Sequence, residues 1–194
     1  MVAVAAGADA LGFILYRKSP RYVDPMMIQR IVAQLPPFVV PVGVFVNEEI
    51  KVVRDVMDTC GLALAQLHGE ETATYCRELS RPVLKALRVK DRSTFLSLAE
   101  YQGRAGVRGF VLDAFCDEAY GGTGQVIDWG LAREVAQAAT VVLAGGLTPE
   151  NVGQALRAVQ PYGVDVSSGV EVAPGKKDHE KVRAFLRAVK VVSS

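Results

Sequence analysis

The residues best suited to chemistry are three glycine-rich stretches in the C-terminal half: Gly121-Gly122-Thr123-Gly124, Ala144-Gly145-Gly146-Leu147 and Ser167-Ser168-Gly169. Glycine lets the backbone approach an anion closely and adopt positive φ. Successive N–H groups near a helix N-terminus bind phosphate well. Any one stretch alone is equally an ordinary tight turn. Three together point to a phosphorylated small molecule held by Gly122, Gly145, Gly146, Ser167, Ser168 and Gly169. Polar side chains stand at the ends of two other apolar runs. Gln66 and His68 follow one, and Asp113 follows another. A histidine there either lines a pocket or serves as a structural hydrogen-bonding group. An aspartate there is either a turn or capping residue or a reacting acid.

The elements that must carry these residues are readable from hydrophobic patterning. Seven short runs are almost continuously apolar: Ala10–Leu15, Val42–Val46, Leu64–Leu67, Val83–Leu87, Gly109–Leu112, Val141–Ala144 and Val164–Val166. Strands buried on both faces read this way, as in parallel sheets. Amphipathic segments lie between them. Pro25–Leu35 follows Asp24, with proline at the first helical position. Glu48–Cys60 ends at Gly61, a residue suited to a C-cap. Thr148 is the expected N-cap of another helix, and Lys181–Val192 the last one. The units recur about every 20 to 31 residues, near the ~30 of a (β/α)8 TIM barrel. An open doubly wound sheet is the competing architecture. It would put its glycine fingerprint after the first strand, whereas here glycine-rich turns follow the last two. The count is one strand short of eight. Val2–Ala6 followed by Gly7 reads as a helix end entering a strand. The expectation is one barrel domain over residues 1–194, without its first strand and the start of its first helix.

Composition removes several function classes. A formal net charge of +1 and no basic stripe argue against nucleic acid. Three scattered cysteines and two histidines give neither a disulfide framework nor zinc-ligand spacing, so no metal is expected. A reducing, cytoplasmic setting fits. No run reaches the ~18 to 20 apolar residues of a membrane helix, and Asp9 breaks the apolar start.

The order of motifs is specific. It runs Gly7-Ala8-Asp9-Ala10-Leu11-Gly12-Phe13, Lys18-Ser19-Pro20-Arg21-Tyr22, Val42-Gly43-Val44-Phe45-Val46, Gln66-Leu67-His68-Gly69 and Leu112-Asp113. Gly121-Gly122-Thr123-Gly124, Gly145-Gly146-Leu147 and Asp165-Val166-Ser167-Ser168-Gly169-Val170-Glu171 follow. From about Gly7 to Phe185 the chain resembles phosphoribosylanthranilate isomerase, a tryptophan-pathway family. The resemblance implies an Amadori rearrangement of N-(5-phosphoribosyl)anthranilate to the 1-deoxyribulose 5-phosphate derivative. It needs no cofactor, because the substrate nitrogen relays electrons. Asp113 matches the general acid, which must hold a proton near neutral pH. Arg21 matches the residue that grips the anthranilate carboxylate, a task suited to a guanidinium fork. Gln66 and His68 are pocket candidates, and family members occur as monomers or homodimers.

The resemblance also assigns a base, a cysteine in a Lys-Ile-Cys-Gly-Ile-Thr motif on the first strand. That motif is not in these 194 residues, and the strand that would carry it is the one missing from the count. Cys60 and Cys76 read as apolar fillers of helices. Cys116, three residues after Asp113, is the nearest alternative base. The expectation is weak turnover by this chain, restored by an upstream strand that bears the cysteine. Two other readings stay open. One is another phosphate-binding barrel enzyme such as indole-glycerol-phosphate synthase, to which Lys85 would contribute. The other is a catalytically impaired barrel that binds a phosphorylated ligand or a partner chain.

Overall fold

The computed structural model describes residues 1–89, 91–103, 106–114 and 128–193. The seven apolar runs form seven parallel strands: β1 (Ala10–Ile14), β2 (Val40–Phe45), β3 (Leu64–Leu67), β4 (Val83–Val89), β5 (Val107–Ala114), β6 (Val141–Leu143) and β7 (Gly163–Val164). Each lies beside its sequence neighbour, in the order β1 to β7. Strand ends differ from the sequence expectation by no more than two residues. Among the described residues β1 and β7 are not hydrogen-bonded to each other. A short antiparallel hairpin, β8 (Glu171–Ala173) and β9 (Lys176–Lys177), follows β7.

Helices connect the strands: α1 (Val2–Ala6), α2 (Pro25–Val32), α3 (Ile50–Cys60), α4 (Ala73–Leu79), α5 (Thr94–Tyr101), α6 (Trp129–Ala138), α7 (Val152–Val159) and α8 (His179–Ser193). Local chemistry sets their ends. The Asp24 side chain accepts from Met26 N–H ahead of Pro25 at the start of α2. Gly61 takes the left-handed conformation, φ 67°, that ends α3. Two expectations shift. α2 stops at Val32 rather than Leu35, because Gln34 and Leu35 donate to Ile31 and Val32 in tightened turns ahead of Pro36. Thr148 caps the turn that opens α7, its Oγ1 accepting from Glu150 N–H at 3.3 Å and its carbonyl from Val152 N–H at 3.0 Å, but the regular helix starts only at Val152, after Asn151.

Period-two alternation divides each strand between two environments. Outward residues such as Phe45, Leu67, Val83, Phe110, Leu112, Val141 and Leu143 join helix residues Ile28, Val53, Met57 and Val152 in the main core. Each of these fully buried side chains contributes roughly 1.5–3 kcal/mol. Inward residues form a second, smaller cluster of Ala86, Val111 and Ala144 against Leu84 and Val142. These inner side chains are small. The curled sheet therefore leaves its concave face open for polar groups at the C-terminal strand ends.

Candidate active site

The inner face of β5 carries Val111, and alternation puts Asp113 on that same face at the strand's C-terminal end. Gln66 pairs with Leu84 of the inner cluster, so Gln66 and, two residues on, His68 also face inward. The three are linked. Gln66 Nε2 lies 3.0 Å from His68 Nδ1, and His68 Nε2 lies 3.1 Å from Asp113 Oδ2. An amide nitrogen only donates, so Nδ1 accepts and Nε2 carries the proton that points at Asp113. The side chains are 10% and 8% exposed for His68 and Asp113, which shields the pair from bulk water.

A second carboxylate shares the inner face. Gly163 pairs with Val142, so Asp165, two residues on, faces inward at the level of Ala144 and Asp113. Water reaches Asp165. The protein around it, followed by the negative charge of Asp113, nonetheless pushes its carboxyl above the usual aspartate range, while His68 and Lys177 oppose the rise. The motif that contains Asp165 does not by itself mark it as a site residue. Its strand parity relative to Asp113 was the available signal.

The glycine turns sit beside these groups. Gly145 and Gly146 both have positive φ, 79° and 65°, directly after Ala144. Among the described residues neither N–H has a hydrogen-bond partner. The Asn151 side chain donates to Gly146 O at 2.9 Å and so pins the turn. Ser167, Ser168 and Gly169 follow β7 and enter a single 3-10 turn, Ser168–Val170. Gly169 is pressed against the neighbouring loop, because a Cβ there would lie 1.8 Å from Leu147 O. The two loops are thus in backbone contact. The Gly121–Gly124 stretch, with Gly122, and Cys116 lie outside the described residues.

Arg21 sits in the loop after β1, beside Tyr22, which bridges to Ile14. It is not solvated. Its Nε and Nη2 donate to Glu171 at 2.8 to 3.0 Å, and Lys177 Nζ donates to the same carboxylate at 2.9 Å. Burial raises the Glu171 carboxyl, but the hydrogen bonds from Arg21 and Lys177 outweigh it and hold it below the ordinary glutamate range. Glu171 closes the same motif and, like Asp165, is not marked as a site residue by the sequence alone.

Lys85 faces the other way. It lies on the outer face of β4, 2% exposed, and donates to Leu67 O, Gly69 O and Glu71 Oε2. It is tied up behind the strands, which removes the residue offered for the synthase alternative. Cys60 and Cys76 are buried in the helical layer, and burial pushes the Cys76 thiol up to about 11. Neither has the exposed, electropositive surroundings of a reactive thiolate. Among the described residues no cluster of His, Cys, Asp and Glu forms a metal site, and no helix is long and apolar enough to cross a membrane.

A family model described as N-(5′-phosphoribosyl)anthranilate (PRA) isomerase matches residues 1–188. The chain belongs to this isomerase family. An N-(5′-phosphoribosyl)anthranilate isomerase of Trichlorobacter lovleyi is 50% identical over 191 residues, 98% of this chain and 91% of the relative. The crystal structure of phosphoribosyl anthranilate isomerase from Thermotoga maritima superposes with a TM-score of 0.90 at 41% identity, covering 98% and 92% of the two chains. Another structure of a phosphoribosyl anthranilate isomerase holds reduced 1-(o-carboxyphenylamino)-1-deoxyribulose 5-phosphate. It matches with a TM-score of 0.86 at 40% identity, over 98% of this chain and 91% of that one. The barrel fold inferred from the parallel strand order is the fold of these isomerases.

Proposed function

We propose that this chain acts in the Amadori rearrangement of N-(5′-phosphoribosyl)anthranilate, with Asp113 as general acid. The observation that carries the reading is the hydrogen bond from His68 Nε2 to Asp113 Oδ2 at 3.1 Å, at the inner C-terminal end of β5. Barrel enzymes do their chemistry at that end of the strands. Protonation of the furanose ring oxygen by Asp113 breaks the C1′–O bond as the substrate nitrogen's lone pair forms an iminium. Transfer of the C2′ proton to a base, the role the resemblance gives to a cysteine in a motif that these 194 residues do not contain, returns electrons to that nitrogen and gives an enolamine, which takes up a proton as it tautomerises to the ketone. The bond changes balance without metal or redox chemistry. His68, with its tautomer fixed by Gln66, holds the Asp113 carboxyl in place. The N–H groups of Gly145 and Gly146, without a partner among the described residues and beside the loop of Ser167, Ser168 and Gly169, suit the ribose phosphate, with Gly122 as a further candidate. Arg21 takes the aromatic carboxylate.

Titration of the reduced product analogue, 1-(o-carboxyphenylamino)-1-deoxyribulose 5-phosphate in reduced form, tests the binding half without requiring turnover. The expected result is saturable one-site binding that weakens when the phosphate is removed from the probe. The chemical half is tested by product formation from N-(5′-phosphoribosyl)anthranilate. An absence of binding, or equal binding of the phosphate-free probe, overturns the reading.

A further inference from the structure

We propose that Glu171 is a positioning residue for Arg21, clamping one edge of the guanidinium so that its other edge is presented to the aromatic carboxylate of the ligand. The inference rests on the reading of Arg21 given above and adds a residue that reading does not use.

The geometry separates the two edges. A guanidinium has five N–H donors in a planar fork. Glu171 takes the edge formed by Nε and Nη2, with Nε 3.0 Å from each carboxylate oxygen and Nη2 2.8 Å from Oε2. The outer edge, formed by Nη1 and the second hydrogen of Nη2, has no partner among the described residues. That edge is a second fork of the shape that takes a carboxylate bidentately. The Arg21 side chain is 15% exposed and that of Glu171 4%, so the clamp is buried while the guanidinium is still reached from outside.

Glu171 is a shared acceptor. Arg21 and Lys177 are two cations around its carboxylate. Gly175 N–H adds a further donor to Oε1 at 3.2 Å. Glu171 is therefore fully engaged, while Lys177 also acts electrostatically on Asp165. The clamp also joins two distant pieces of chain. A Cβ on Gly175 would lie 3.1 Å from Pro20 O, so the β8–β9 hairpin packs directly on the loop that carries Arg21. Without the clamp, a long side chain on that loop would have to be ordered by the ligand itself, at an entropic cost that weakens binding.

The contrary arrangement is also explicit. If Glu171 instead occupied the ligand's own place on Arg21, its removal would tighten binding. The experiment titrates two probes into the wild-type chain, E171Q, R21M and the double variant. One probe is the reduced product analogue; the other is its counterpart lacking the ring carboxylate. Expected are a loss of about tenfold or more for the carboxylated probe in E171Q, and a change of no more than about twofold for the carboxylate-free probe. The double variant is expected to match R21M alone, because residues acting through one contact are not additive. Unchanged or tighter binding of the carboxylated probe by E171Q overturns the proposal. So does an equal loss for both probes, which is what a merely structural role would give. If R21M leaves both affinities unchanged, the Arg21 reading itself falls. If R21M discriminates between the probes and E171Q does not, only the clamp falls. Should E171Q not fold, E171D keeps the charge but draws it back by one methylene, and the same outcomes decide.

Discussion

His68 Nε2 and Asp113 Oδ2 lie 3.1 Å apart across two strands, β3 and β5, that do not pair with each other. The contact spans the curved inner face over β4, where Ala86 pairs with Val111 and Arg88 pairs in register with Asp113. It distinguishes two functions that one substitution would blur. D113N keeps size and polarity but cannot supply a proton, so in the chain extended by an upstream strand that bears the base cysteine, turnover is expected to fall about 10²- to 10⁴-fold. Affinity for the reduced product analogue should change little. H68A leaves the acid present but unsupported, and a smaller fall in turnover is expected. Turnover and analogue titration, run side by side on both variants, check this.

Glu71 and Lys85 form a second buried pair, at 2.9 Å, with side chains 1% and 3% exposed. Glu71 also accepts from the N–H groups of Asn47 and Gly69, and Tyr101 Oη donates to Glu71 O. The Glu71 carboxylate thus ties the loops after β2 and β3 to β4, and the Glu71 carbonyl adds α5. Removing one partner leaves the other charge buried and uncompensated. K85M is expected to cost about 3–5 kcal/mol, and E71Q to be strongly destabilising for the same reason. Denaturant unfolding measures both. Because Gly69 follows His68 directly, the E71Q variant should also lose affinity for the reduced product analogue.

The strands were legible because a sheet covered on both faces demands unbroken apolar runs, and chains such as Val83-Leu84-Lys85-Ala86-Leu87 supply them. Lys85 shows the limit. Its charge inside an apolar run looks like an active-site lysine, yet its partner Glu71 stands in the following loop of another unit, a pairing no local pattern encodes. The place of Asp113 at a strand end was readable from the apolar run before it, while its assignment as the acid rested on the family resemblance. The bond to His68 was not readable, since it depends on sheet curvature. Arg21 was readable as a fork, while its clamp required Glu171, 150 residues away in sequence. Thr148 was readable as a cap, and its Oγ1 does accept from Glu150 N–H; the pattern did not show that residues 149–151 form a turn before the regular helix begins at Val152.

Gly169 offers a prediction about the loop pair. Adding a methyl group would drive Cβ to 1.8 Å from Leu147 O, a backbone atom that cannot rotate away. The two loops must then separate. G169A is expected to lower the melting temperature and to weaken the reduced product analogue at least about tenfold, the scale of one lost charge-assisted hydrogen bond. The carboxylate-free counterpart keeps the phosphate and should weaken equally, in contrast with E171Q. Calorimetric titration of both probes separates the two ends of the ligand.

Asp165 gives a prediction in pH. Its carboxyl is raised above 3.8 by the surrounding protein and then by Asp113, so the folded chain holds the Asp165 proton more tightly than the unfolded chain does. Below the ordinary aspartate range both states are protonated and the group costs nothing. As pH rises through that range the unfolded state ionises first. Stability then falls until the folded-state group has also ionised, and the full cost persists at neutral pH. D165N removes the ionisation and should therefore raise the neutral-pH melting temperature. Water reaches the wild-type carboxylate, which keeps the gain modest. The advantage should shrink as pH falls toward about 4, the ordinary range of the group. Melting temperatures of the two proteins between pH 4 and 8 give the comparison. A D165N advantage that grew toward acid would mean that the folded state favours the charged form, contrary to the inward, Asp113-facing position of this side chain.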